Sequence, residues 1–261
     1  VSKRHVPRRP KHRPRSPHVT SARANPRWVD LALALACAGL TLWMQRRVLG
    51  AYFSPDDLVH FERVRGLLPD PPTLWRAVSN QAYMRTALEW WGADPVPSHA
   101  LNWTAHAANA VLLYAGTRVI GGGPIAATIA AAGFGACRLF LPALFQTIGF
   151  GEVASLTGTL AALGLALRAN GWARWLSLPV FALALLCKET VAFTPAALWI
   201  ASPGRAGESR RRGLIPLVVL GACYFAGLVL AHGGAAGSRG GAYETGFGVN
   251  LFHNLMTYLA W

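Results

Sequence analysis

Charge is scarce in this chain, and acid is scarcer: 14% of the 261 residues are Asp, Glu, Lys or Arg, and only 11 are Asp or Glu. With 53% hydrophobic residues and a mean hydropathy of +0.31, the apolar side chains exceed what one globular core absorbs. Soluble classes are thereby excluded, and repeated apolar runs of a polytopic membrane protein remain. Cysteine is also sparse. Cys37, Cys137, Cys187 and Cys223 lie inside apolar runs without metal-type spacing, as small buried hydrophobes do. Internal repeats with paired broken helices, the mark of many transporters, are missing.

What charge there is sits unevenly. The formal net charge is +14, but Lys3, Arg4, Arg8, Arg9, Lys11, Arg13, Arg15, Arg23 and Arg27 carry much of it in a Pro-rich, aperiodic segment with no acid. Residues 1–27 therefore read as a disordered basic cytoplasmic arm that sets topology and touches anionic lipid, with no nucleic-acid partner. Ala34-Leu35-Ala36-Cys37 inside the next apolar segment offers a cleaved signal or lipoprotein site as the runner-up, although that segment is too long for a signal core.

Apolar runs predict spans near Trp28–Met44, Leu101–Thr117, Pro124–Leu141, Gly151–Leu167, Trp175–Cys187, Thr190–Ala201 and Leu214–Ala231. The domain expected is an all-α transmembrane bundle over 28–261, with a long outer loop over 45–98 carrying amphipathic helices. Arg118, Arg168, Arg174, Arg205, Arg210, Arg211 and Arg212 fall between alternate spans. The positive-inside rule places them in the cytoplasm with the N-terminus, and loop 45–98, Lys188-Glu189 and 233–252 on the opposite face.

Chemistry-bearing residues concentrate on that outer face. Lys188 and Glu189 interrupt the apolar run 175–201, which is too long for one span and too short for two. The chain is expected to fold there into two short helices, each reaching ~20 Å. Ser54-Pro55-Asp56-Asp57, followed by Leu58, Phe61, Val64 and Leu68, reads as a capped amphipathic helix on the membrane surface, with Ser54 as N-cap. Asp57 is the ordinary capping-box partner. Asp56 is not needed for the cap, and suits a general base or a cation ligand. His99, Asn102, His106 and Asn109 follow at spacings of three, four and three, one polar stripe facing the bundle interior. Interhelical hydrogen bonding accounts for such a stripe. His99 and His106 stand seven apart with no third ligand, so no metal or cofactor is called for; a divalent cation at the acids has nothing else in the sequence to support it.

Asp56-Asp57, Tyr83-Met84-Arg85, the His99 to Asn109 stripe and Leu186-Cys187-Lys188-Glu189, in that order and spacing, resemble the GT-C glycosyltransferases of the protein O-mannosyltransferase type. Their bacterial relatives and the transmembrane part of the TPR-containing O-mannosyltransferases are the closer likeness. It runs from about Trp28 to Trp261, with His253-Asn254-Leu255-Met256-Thr257-Tyr258 similar to the start of a further family span. The resemblance implies a multi-pass protein of the bacterial inner membrane that moves a sugar from a polyprenyl-phosphate donor to a protein or glycan hydroxyl outside, with inversion. It implies Asp56 or Asp57 as catalytic base, with Asp56 preferred. Lys188 and Arg85 would bind the donor phosphate, with Glu189 pairing or orienting Lys188, and His99, Asn102 and His106 would support the site. A non-catalytic polyprenyl-phosphate binder or flippase-like carrier is the alternative. Family members often carry Arg-Pro where Arg85-Thr86 stands, Ser at Cys187, and His-Pro with a Glu four residues on where this chain has Leu141-Pro142 and Gln146. They also continue for several spans past Trp261, so a C-terminally truncated fragment is expected.

Overall fold

A computed structural model describes residues 27–69, 75–168, 171–202 and 205–231, and among them every regular element is helical. The basic arm before Arg27, the segment 233–252 expected on the outer face and the His253 motif lie outside the described residues. The α-helices are α1 (Arg27–Gln45), α2 (Pro55–Val64), α3 (Met84–Trp91), α4 (Val96–Val119), α5 (Pro124–Ala136), α6 (Leu141–Leu144), α7 (Phe150–Arg168), α8 (Ser177–Cys187), α9 (Thr194–Ile200) and α10 (Arg205–Ala231).

Helix α4 is the centre of the bundle, packed by α1, α5 and α7, while α8 lies on α7 and α10 lies on α8 and α9. Small residues let these helices approach closely. Ala34, Cys37, Ala127 and Ala131 fill one seam with Tyr114, and Ala162, Ala166, Ala184 and Ala192 line another with Phe181, Leu185, Leu214 and Leu217. A Cβ on Gly158 would come within 2.9 Å of the Ala184 methyl, and one on Gly221 within 2.4 Å of the Ala192 carbonyl oxygen. Large apolar side chains instead face outward, among them Leu31, Leu35, Trp43, Ile125, Ile129 and Val219. Such a surface suits lipid and would be a liability in water.

Among the described residues three helical stretches are long and apolar enough to cross a membrane: Arg27–Gly50, Phe150–Arg168 and Arg212–Ala231. Pro124–Ala136 with Arg138–Leu144 makes a fourth if that pair, bent by 43°, is one span. The single span expected over Pro124–Leu141 is thus broken. Cys137 is extended (φ −67°, ψ 121°); Gly133 and Gly135 weaken the preceding turn, and Pro142 withholds the N–H that a continuous helix would offer the Arg138 carbonyl. Helix α4 is 24 residues long but falls outside the set because its polar stripe dilutes its hydropathy.

Helix directions follow from the contacts. Asp30 meets Arg118 at one end of α1, and Trp103 Nε1 donates to the Leu42 carbonyl toward the other. Gly213 lies against the Ala166 carbonyl and the Arg174 guanidinium, while Gly151 lies against the Cys187 carbonyl. Arg118, Arg168 and Arg174 therefore share one end of the bundle. Residues 45–69 and 75–98, the α7 N-terminus and Lys188-Glu189 share the other. The run 175–201 does fold at Lys188: α8 ends at Cys187, Lys188 is extended (φ −157°, ψ 126°), and a 3-10 turn over Glu189–Phe193 leads into α9.

Candidate functional site

Helix α2 begins where the backbone finds a cap. Ser54 is extended (φ −78°, ψ 161°), its Oγ accepts the Asp57 N–H at 3.2 Å, and Asp57 Oδ2 accepts the Ser54 N–H at 2.8 Å and its hydroxyl at 2.9 Å. Pro55 occupies the first turn, where a missing N–H costs nothing. The other oxygen, Oδ1, accepts the backbone N–H of Ile148 at 2.7 Å. Asp57 is wholly buried and its carboxylate is committed; Asp56, one residue earlier, is exposed. The apolar side of α2 is divided, since Phe61 is buried against Tyr83, Met84 and Ala87 while Leu58 and Val59 are exposed. Gly66, at φ 77°, closes the turn after the helix. Leu68 lies beyond it, so it does not extend the face.

The Tyr83 ring stacks on Phe150 with centroids 3.9 Å apart, locking the segment before α3 onto the start of α7. Burial pushes the Tyr83 hydroxyl up to about 12, with the Asp57 charge adding to the effect and Ser98 opposing it. Arg85, two residues on, is on the exposed side of α3. Among the described residues no hydrogen bond or ion pair ties it to Asp56, Lys188 or Glu189.

The pairing expected between Lys188 and Glu189 is not the one formed. Lys188 Nζ pairs with Glu152 in the first turn of α7, the two side chains being 17% and 41% exposed. Glu189 instead takes a two-pronged grip from Arg76, Nε to Oε2 at 2.9 Å and Nη2 to Oε1 at 2.6 Å, and accepts Trp75 Nε1 at 3.1 Å. Extended backbone at Lys188 explains the divergence, because successive side chains then point to opposite sides. Arg76 also lies over the Trp75 ring, 4.4 Å from its centroid. It holds a left-handed backbone (φ 50°, ψ 35°), a conformation that costs a non-glycine residue ~1 kcal/mol or more. A π-helical turn over Ala77–Tyr83 follows, and Ser79 Oγ donates to the Cys187 carbonyl at 2.7 Å, satisfying an orphan at the α8 C-terminus.

The polar stripe of α4 is buried throughout. Asn102 Nδ2 donates to the Gln146 carbonyl at 2.8 Å, Asn109 Nδ2 donates to the Val153 carbonyl at 3.0 Å, and His99 Nδ1 lies 3.2 Å from the Leu144 carbonyl. These groups clamp the break between α6 and α7. His106 differs: its ring sits between Phe134 and Phe140, with centroids 4.6 and 5.0 Å away, and neither nitrogen has a partner among the described residues. No group of three His, Cys, Asp or Glu among the described residues is placed to hold a metal ion.

Residues 148–152 are thus a junction. Ile148 holds Asp57, Phe150 stacks on Tyr83, and Glu152 holds Lys188. Arg76 and Glu152 were not legible as site residues from the outset, although Glu152 is an acid opening an apolar span, the same signal that singles out Lys188. A groove of about 470 Å³ opens beside this junction between α2 and α3, lined by Tyr52, Phe53, Leu58, Phe61, Leu88 and Glu62 among others. Asp56, Arg85 and Lys188 do not line it. Comparison of the chain with known family models, with curated proteins and with solved structures finds no match.

Proposed function

We propose that the protein is a membrane glycosyltransferase that moves a sugar from a polyprenyl-phosphate donor to an acceptor hydroxyl at the bundle end opposite Arg118 and Arg174. The observation that carries this reading is the division of labour between two adjacent acids. Asp57 is buried and fully hydrogen-bonded as cap and clasp, while Asp56 is exposed in the same helical turn. An exposed carboxylate that no cap or backbone N–H occupies is free to accept a proton from an acceptor hydroxyl.

In the proposed reaction the acceptor oxygen forms a bond to the anomeric carbon from the side opposite the phosphate. The bond between that carbon and the phosphate oxygen breaks, and Asp56 takes the hydroxyl proton. Polyprenyl phosphate leaves as an anion, and one displacement inverts the anomeric centre. Lys188 and Arg85 are the proposed partners of that anion. Lys188 would have to exchange Glu152 for the phosphate.

The ion pairs also favour a second reading. Lys188 and Arg76 each already face a carboxylate, as expected of a clasp that joins helices in a protein that binds lipid phosphate without transferring sugar. Incubating the full-length gene product with labelled polyprenyl-phosphate sugars separates the two. Transfer that Asp56→Asn abolishes supports the enzyme; donor binding without transfer to any acceptor in the panel supports the carrier.

A further inference from the structure

The opposite end of the bundle carries a second cationic site, independent of the sugar-transfer reading. A pocket of about 320 Å³ opens where the chain enters α8 and passes α10, lined by Arg174, Trp175, Ser177, Arg212, Gly213 and Pro216 among others. Arg174 is half-buried, and among the described residues no carboxylate pairs with it. Gly213 makes room for it: a Cβ there would sit 3.0 Å from Arg174 Nη2 and 2.9 Å from the Ala166 carbonyl oxygen. Ser177, 4% exposed, lines the pocket beside it. A half-buried guanidinium with no carboxylate opposite it favours an anion in the space beside it. Arg212 is engaged by Glu208, Nη2 to Oε1 at 2.6 Å, but both side chains are largely exposed, and such a pair is weak enough to rearrange.

The surroundings of the pocket specify the source of an anion. Trp175, which lines the pocket, is exposed, and an amphipathic indole in such a place marks a membrane interface. Leu176, next to Trp175 in sequence, is exposed, and so are Ile215 and Val219 on the apolar stretch Arg212–Ala231 that Arg212 opens. Arginines beside an indole, at the start of an apolar helix, match the phosphate, interface and acyl chain of a lipid leaflet. We propose that this pocket binds the phosphate of one anionic phospholipid, held by Arg174, Arg212 and Ser177, with its acyl chains against Leu176, Ile215 and Val219.

The test uses the full chain in nanodiscs of phosphatidylcholine doped with phosphatidylglycerol, with lipid retention read by native mass spectrometry and unfolding temperature measured in parallel. The wild type is expected to retain phosphatidylglycerol over phosphatidylcholine. Arg174→Gln should weaken that preference about tenfold or more, as loss of a charge-assisted contact does, and Arg174→Lys should keep part of it. Ser177→Ala should weaken it less, and Arg65→Gln at the far end should leave it intact. Equal retention of both lipids by the wild type overturns the proposal. So does an Arg174→Gln variant that loses unfolding temperature equally in discs with and without phosphatidylglycerol, the behaviour of a guanidinium that only supports the end of α7. Displacement of the lipid by millimolar glycerol phosphate would identify a water-soluble phosphate as the ligand and overturn the lipid assignment. If Arg174→Gln fails to fold, Arg212→Gln, at a largely exposed side chain, carries the same expectation.

Discussion

The backbone N–H of Ile148 donates to Asp57 Oδ1 over 2.7 Å, across 91 positions of sequence. A helix cap thereby becomes a tertiary bond between α2 and the start of α7. Asp57→Ala should cost more than a surface cap. About 1 kcal/mol belongs to the cap, and the Ile148 N–H left without a partner adds ~1–3 kcal/mol. Denaturant unfolding in detergent measures it, and a change under 0.5 kcal/mol would show the bond to be ornamental.

Asp56 has no such tie, so its replacement should separate activity from stability. If the proposed reaction holds, Asp56→Asn should lose ~10²-fold or more of the transfer rate, as expected for a general base, while the unfolding midpoint at neutral pH stays put. Wild-type turnover in this variant removes Asp56 from the mechanism.

Glu152 and the donor phosphate would compete for one ammonium. If Lys188 binds donor, Glu152→Gln should tighten donor binding and Lys188→Ala should weaken it, with acceptor binding little changed in both. If the pair is only a clasp, both variants should lower stability and leave donor affinity alone, because each strands a partly buried charge. Equilibrium binding of a labelled polyprenyl phosphate distinguishes the outcomes.

His60 on α2 gives a pH dependence of definite sign. Burial holds its imidazole below the ordinary 6.5; Arg63 and Arg76 push the same way, and Asp56 and Asp57 oppose them. The unfolded chain therefore takes up the proton first. Stability is intact above pH about 6.5, falls as pH drops below it, and levels off once folded His60 itself titrates. His60→Gln should flatten that decline between pH 7 and 5 in unfolding experiments. Asp56→Asn should steepen it, having removed a charge that supports the imidazolium.

Topology is testable at the cap itself. With Cys223, which is exposed, replaced by Ser, a Ser54→Cys variant should react with a membrane-impermeant thiol reagent from the outer side. Labelling from the cytoplasmic side alone would reverse the orientation and take the proposed reaction off the outer face.

Several of these features were legible because they depend on local chemistry. Ser54, Pro55 and Asp57 carry a cap in their side chains, the spacing of His99, Asn102, His106 and Asn109 defines one face, and charge at Lys188 forbids a continuous apolar span. What escaped is set by partners distant in sequence. Nothing in Lys188-Glu189 says that an extended residue will turn the two side chains to different helices. Nor does Trp75-Arg76 announce a left-handed residue stabilised by an acid 113 positions away. The break at Cys137 was missed for a related reason. Hydropathy runs straight through it, and only the Gly133, Gly135 and Pro142 backbone records it.

The carbonyls that α4 engages belong to residues 143–153, which leave the ribosome only after α4 and α5 have been made. Before that segment exists, the Asn102 and Asn109 amides and the His99 imidazole have no acceptor, and α4, which is not among the candidate spans, has only α1 and α5 to hold it. A substitution in that segment that removes an accepting carbonyl's position, such as Gly149→Ala pressing on the Ala143 carbonyl oxygen at 1.8 Å, would then act on biogenesis. The damage would appear as chains that never complete insertion, in advance of any effect on the finished protein.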